Sequence, residues 1–311
     1  MTGEKSVPAL VSVVVTVRDN AAHLPRLLMA LLKQDYRGPV ELVAVDTHNE
    51  LVLNRLSLAG SRLPVHVMHE PDAGLSRARN TGIRVATGAV VLITDPAARP
   101  SPGWVRTMAT ALTHGGADLV CGQVSVTVTD PPGARLAKAL LDLVGSASWP
   151  TVPCELERPW QVSGCNLGFR NGVVPLQFDE ERPGADRGHR RCGATELAAR
   201  LLAEGRFVQA VPDAVVHRDV MPADLTMRAV CARAWWKGGV LARLAHERPQ
   251  SREPVPACRL PDGYRVRWAF TRGGRLAGAA CLASSASRRL EQLRLRATPR
   301  RKSRTAVAAH G

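Results

Sequence analysis

Short valine-rich runs at regular spacing constrain this chain more than any other feature. LVSVVVTV (Leu10 to Val17), VELVAV (Val40 to Val45), LPVHVM (Leu63 to Met68) and GAVVLIT (Gly88 to Thr94) are nearly continuous apolar stretches. A half-exposed strand alternates polar and apolar residues. A continuous run predicts a strand buried on both faces, as in a parallel sheet. Helical patterns separate the runs. Leu24, Leu27, Leu28, Leu31 and Leu32 form one broad apolar face, with Asp19 or Asn20 as a cap, and Gly74 to Ala86 reads as a second helix. Such alternation predicts an α/β fold with a mostly parallel, Rossmann-like sheet flanked by helices. Right-handed crossovers bring the strand C-terminal ends to one edge, where ligands bind in such sheets. Asp46 and Asp95 each follow a predicted strand. The pattern therefore sets two carboxylates at the binding edge, although aspartate is also common as a turn residue.

Further along, a helix is expected from about Pro102 to Thr113 and a strand from Ala117 to Val128. The Pro- and Gly-rich stretch from Asp130 to Pro159 reads as an excursion. WQVSGCNLGFRN (Trp160 to Asn171) returns to a mixed apolar and glycine pattern. Ala194 to Gly205 is a helix stopped by glycine, and Phe207 to Arg218 is one strand or two short ones leading to His217. Ala223 to Leu244 is helical, with Trp235 and Trp236 beside Lys237. Beyond Arg248 order weakens, but RRLEQLRLR (Arg288 to Arg296) has the pattern of a basic amphipathic helix. The expected division is a domain over 1–222 and a helical, basic extension with a partly disordered tail over 223–311.

The chain has 311 residues, a formal net charge of +15 and only 4% aromatics. Such charge attracts polyanions, namely a nucleotide diphosphate or an anionic membrane surface. The scarcity of aromatics and the absence of a zinc finger or phosphate loop argue against nucleic acid. Seven widely spaced cysteines without a CxxC pair fit reduced thiols in a cytoplasmic protein, peripheral to a membrane at most. No secretory leader and no spanning helix are expected.

A nucleotide-sugar site needs base recognition, phosphate neutralisation and a proton acceptor for the attacking hydroxyl. In this light the chain resembles the family 2 glycosyltransferases, of GT-A fold, over roughly 11–217. The carrying segments are VSVVVTVRDN, ELVAVDTHNE, GLSRARNTGIRVATGAVVLITD, SGCNLGFR and PDAVVHR. The resemblance implies transfer of a sugar from a nucleotide diphosphate sugar to an unidentified acceptor hydroxyl. It implies donor binding by Asp46, Arg79, Asn80, Asp95, Asn166 and Arg170, with Asp46 at the nucleobase. It also implies a manganese or magnesium ion on Asp95 and His217.

Two departures qualify that implication. The family's metal motif is a run of aspartates, but here the segment is TDPAARP, with Pro96 and Ala97 after Asp95. Asp95 and His217 alone make a thin site for a hard cation, which prefers several oxygen ligands. Gly193 and Ala194 stand where relatives carry the acidic base pair. Glu196, two residues along and off that helical face, is either a substitute base or a structural or capping residue. Asp179, Glu180, Glu181 and Asp186 lie in an upstream loop, and His189, Arg190 and Arg191 could neutralise phosphate without a metal. Cys192 reads as an idle thiol. Two functions therefore stand open: a transferase, and a non-catalytic relative binding a nucleotide or a protein partner.

Overall fold

The computed structural model describes residues 9–18, 21–48, 63–71, 74–128, 149–157, 159–172, 177–180, 193–220, 226–247 and 272–297. Nine strands form one sheet: β1 (Val11–Val17), β2 (Val40–Asp46), β3 (Val65–His69), β4 (Val90–Thr94), β5 (Ala98–Pro100), β6 (Leu119–Val128), β7 (Cys154–Glu155), β8 (Asn166–Arg170) and β9 (Val208–Val220). The helices are α1 (Leu24–Leu32), α2 (Leu75–Val85), α3 (Trp104–His114), α4 (Gly193–Ala203), α5 (Met227–Glu247) and α6 (Arg272–Ala297). The caps expected at Asp19 or Asn20 lie outside the described residues. α1 instead follows a short 3-10 turn, Ala21–His23, with a proline in its first turn.

The strand order is β3-β2-β1-β4-β8-β6-β9-β5, with β7 against β9. β1, β2, β3 and β4 pair in parallel, as their apolar runs require. The other half corrects the expectation of a mostly parallel sheet. β8 inserts antiparallel between β4 and β6, and β5 and β7 run antiparallel to β9. Only the β6–β9 pair there is parallel. The sheet is therefore mixed. The long connection before β8 lets the chain re-enter the sheet in either sense, and nothing in NLGFR encodes the sense chosen.

Two apolar layers enclose the sheet. On one face Val11, Val13, Val15 and Val17 pack with Leu24, Leu27 and Leu31 of α1 and with Trp104, Met108 and Leu112 of α3. On the other, Val14, Val43, Val45 and Ile93 pack with Ala78 of α2, Leu197 and Leu201 of α4, and Phe178. Alternate residues of β1 thus enter opposite layers, and both layers are dry. This is why its sequence lacks polar alternation.

The edge away from the strand C-termini is tied by Glu41, which is 5% exposed. Its carboxylate accepts bonds from the Ser12 hydroxyl at 2.6 Å and from the Thr87 backbone N–H and hydroxyl at 2.9 Å. His66 lies 3.4 Å away. Burial opposes ionisation of Glu41, but these bonds and His66 outweigh it and hold the carboxyl below its ordinary value of 4.5. A depressed folded value means that the stabilisation is complete above the unfolded value and is lost as pH falls through the folded one. The melting temperature should therefore drop as acid is added below pH 4.5. Glu41→Gln should melt lower at neutral pH and show a flatter acid limb in the same calorimetric series.

The bulge that shapes the site lies on β9. Gly122 of β6 pairs with Val211, but the next residue, Gln123, pairs with Val215. Pro212, Asp213 and Ala214 are therefore extra, which accommodates a proline inside a long strand. The bulge frees the Ala214 carbonyl, which is taken by the Asn166 amide at 2.8 Å. The same amide nitrogen donates to Gln123 O at 2.8 Å, and the Trp104 indole donates to Asn166 Oδ1 at 2.8 Å. A side chain at Gly122 would collide with Ala214 O and with Asn166.

The C-terminal region departs most from expectation. α6 runs 26 residues, well beyond the short amphipathic stretch read from the sequence. It packs along α5, where Gly238 lies so close to the backbone of Ser284 that a Cβ would clash. Small residues at this crossing supply helix contacts that a search for apolar periodicity does not register. No described helix is long and apolar enough to cross a membrane.

Candidate functional site

The parallel strands deliver Asp46 to the end of β2 and Asp95 to the position just after β4, on either side of β1. The N-terminus of α2 reaches the same edge from β3.

The Asp46 side chain is fully buried. Its Oδ1 accepts the His48 backbone N–H at 2.9 Å, and its Oδ2 lies 3.3 Å from His69 Nδ1. His69 pairs in register with Asp46 at the end of β3 and is 42% exposed. A carboxylate only accepts, so it sets the Nδ1 proton and leaves Nε2 as the second nitrogen of a partly exposed ring. Sequence reading missed His69. The signal available was its place at the end of the strand beside β2, an argument already applied to Asp46 and Asp95.

Asp95 is half-buried and closes a turn. Its Oδ1 accepts the Ala97 N–H at 2.9 Å and its carbonyl accepts the Ala98 N–H at 2.8 Å. His217 does not register with it: β9 places His217 opposite Arg99, four residues beyond Asp95. Arg99 is bonded to Asp219 at 2.6 Å. Among the described residues, no group of three or more His, Cys, Asp or Glu side chains converges on a point. One carboxylate, half committed to a turn, and an exposed imidazole in another register make a thin site for a hard cation, whose remaining ligands would have to be donor phosphate and water oxygens.

Three of the expected donor contacts are placed as struts or lie elsewhere. Asn166 reaches the right edge, in register with Thr94. However, its side chain is 0% exposed and holds the bulge described above. It supports the site and does not line it. Arg170 is at the other end of β8, opposite Val90, four residues from Asn166. At about 3.3 Å per residue that is about 13 Å from the edge where Asp95 stands. An antiparallel β8 necessarily separates the two. Asn80 is 3% exposed, and its amide is spent on the 177–180 segment. It accepts the Phe178 N–H at 2.8 Å and donates to Phe178 O at 2.8 Å and to Glu180 Oε1 at 2.6 Å.

Arg79 also builds a wall. It is 7% exposed, donates from Nη2 to Gly164 O at 2.9 Å and lies 5.0 Å over the Phe178 ring. A Cβ at Gly164 would come within 2.6 Å of this guanidinium, so glycine permits the approach. The Thr94 hydroxyl fixes the next residue through Cys165 O at 2.9 Å. The Ser163–Cys165 loop beside Asp95 is therefore held from both β4 and α2.

Position 193, where the resemblance places half of the acidic pair, is tightly packed, so a side chain there would require a small shift of Phe178. A Cβ on Gly193 would lie 3.2 Å from Phe178 and 3.5 Å from the Ser76 hydroxyl. Ala194 is fully buried in the apolar layer with Phe178 and Leu197. Glu196 is partly exposed one half-turn along α4. Glu181, Asp186, His189, Arg190, Arg191 and Cys192 lie outside the described residues. Cys121 is buried, which pushes its thiol far up, so it offers no nucleophile.

A mixed sheet between helical layers, with carboxylates at the ends of β2 and β4, is a GT-A-like arrangement. The model of glycosyl transferase family 2 matches residues 12–167, half of the chain, and the chain belongs to that family. The pre-mycofactocin glycosyltransferase of Mycobacterium tuberculosis is 26% identical over 249 residues, 79% of this chain and 49% of that protein. Glycosyltransferase AglE of Haloferax volcanii is 28% identical over 133 residues, 41% of this chain and 43% of that protein. The chain thus spans about half the length of the curated relatives it matches. Among solved structures, S. aureus TarS 1–349 in complex with UDP is similar at TM-score 0.52 and 16% identity, covering 92% of this chain and 91% of TarS 1–349. Mannosyltransferase PcManGT from Pyrobaculum calidifontis, in complex with GDP-Man and Mn2+, is similar at TM-score 0.53 and 20% identity, covering 91% and 74%. At these identities the structural likeness bears on the fold alone.

Proposed function

We propose that this chain binds a nucleoside diphosphate sugar at the β1, β2 and β4 strand ends and transfers the sugar to an acceptor hydroxyl. The observation that carries this reading is the pair of carboxylates, Asp46 and Asp95, at the ends of β2 and β4 flanking β1. Family membership supports it. So does the shared ligand class of the similar structures, since TarS was solved with UDP and with UDP-GlcNAc and PcManGT with GDP-Man. In this reading the half-exposed His69 meets the nucleobase, held in place by the buried Asp46. The Ser163–Cys165 loop forms a wall, and Asp95 presents its remaining oxygen to the donor.

One observation favours a second reading, in which the donor is bound and not turned over. Position 194 is an apolar, buried alanine, and Gly193 beside Phe178 has no side chain. A residue that accepts the acceptor's proton then has to come from elsewhere.

Titration calorimetry with uridine, guanosine and thymidine diphosphates, each with and without manganese, tests both. Saturable binding of at least one is expected, with little change on adding manganese. Absence of binding to all three would sink the proposal. Radiolabelled donor then separates the readings: bound donor that is neither hydrolysed nor transferred identifies the non-catalytic one.

A further inference from the structure

α6 is amphipathic in an unusual sense. The side it buries is small and polar: Ser284 and Ser287 are each 4% exposed. The side it turns outward is apolar, with Leu282 75%, Leu290 55% and Leu293 61% exposed. At 100° per residue these leucines and exposed Ala286 fall within an arc of about 80°, roughly opposite the two serines. Arg289 and Arg294 border the arc on its two sides, and both are exposed. Over its whole length the helix carries six arginines and one acidic residue, Glu291.

Exposing three leucines in a row on a helix costs free energy unless something covers them. From the geometry we infer that this face docks on an anionic lipid surface. Leucines of an interfacial helix enter the boundary between headgroups and acyl chains, and flanking arginines meet lipid phosphates. The charge pattern decides between a membrane and a second copy of the chain. Pairing two such faces sets arginine against arginine across the seam, with Glu291 turned to the other side. An anionic bilayer presents phosphates to the same positions. The chain's net charge of +15 adds long-range attraction to such a surface. The inference goes beyond the donor-site reading and does not depend on it.

Sedimentation of the full chain with phosphatidylcholine vesicles, with and without phosphatidylglycerol, tests it. Binding is expected only to the anionic vesicles and should weaken as salt is raised. Arg289→Gln should lower the partition coefficient about five-fold. Leu290→Ser combined with Leu293→Ser should lower it by roughly ten-fold or more. Both variants alter exposed side chains, and unchanged circular dichroism and nucleoside diphosphate calorimetry would confirm intact folding and a separate donor site. Wild-type chain that ignores anionic vesicles, or binding undiminished by the leucine pair, would overturn the inference. So would a dimer in sedimentation equilibrium that the leucine substitutions dissolve.

Discussion

Asn166→Ala is expected to lower the unfolding free energy by about 4 kcal/mol, the largest effect of any single polar substitution considered. The change strands three buried groups at once: the Trp104 indole N–H, Gln123 O and Ala214 O. Each unpaired buried group costs about 1–3 kcal/mol, and the shortened side chain leaves a small void as well. Asn166→Asp should be no milder. It keeps an acceptor for Trp104 but aims carboxylate oxygens at two carbonyls. Trp104→Phe strands one acceptor, Asn166 Oδ1, at about 1–3 kcal/mol, and adds the cost of a void where the larger buried ring stood. Urea denaturation with an unchanged m-value measures all three. An Asn166→Ala protein of wild-type stability would mean that the bulge at Pro212–Ala214 holds without its amide.

Asp46→Ala is expected to weaken nucleoside diphosphate binding about 10- to 100-fold, from the loss of about 1.5–3 kcal/mol carried by a hydrogen bond to a charged group. The effect has two sources. The buried carboxylate acts through its neighbours: His69 loses the partner 3.3 Å from its Nδ1, and the His48 N–H loses its acceptor. His69→Ala should reproduce part of the loss, because it leaves Asp46 in place. Calorimetry with the tightest-binding nucleotide measures the affinity, and a thermal melt checks the fold. Unchanged affinity in Asp46→Ala would remove the nucleobase end of the proposed site.

The parallel half of the sheet was legible because its signal is local. Continuous apolar runs define strands buried on both faces, the intervening helices define crossovers, and crossover handedness sets Asp46 and Asp95 on one edge. The boundaries found, such as Val40–Asp46 and Leu75–Val85, differ from the expected ones by a residue or two. The other half was legible only in part: the sequence pattern predicts β6 and β9 but not the short or interrupted strands that pair antiparallel to their neighbours. β5 is three residues and β7 is two, too short for any periodicity. β8 contains a glycine and an asparagine, which weaken a strand pattern, yet it sits in the middle of the sheet. Only the order of the assembled strands explains why it is a strand.

The same division separates the candidate residues. Asp46 and Asp95 were found from position alone, since a residue after a parallel strand reaches the binding edge whatever surrounds it. Arg79, Asn80, Asn166 and Arg170 came from motif likeness, and a motif does not say where a side chain points. Asn166 turns inward because a bulge on β9 frees a carbonyl that must be paired. Asn80 turns toward the 177–180 segment, which is about 100 residues away in sequence. Arg170 lies at the far edge because β8 runs antiparallel, and Arg79 is spent between Gly164 and Phe178. The sequence by itself thus determined the α/β class and the two strand-end carboxylates on one sheet edge, because each follows from contacts between chain neighbours. Tertiary structure alone decided which polar side chains face that edge and which brace it, because burial and pairing depend on partners that the sequence holds far apart.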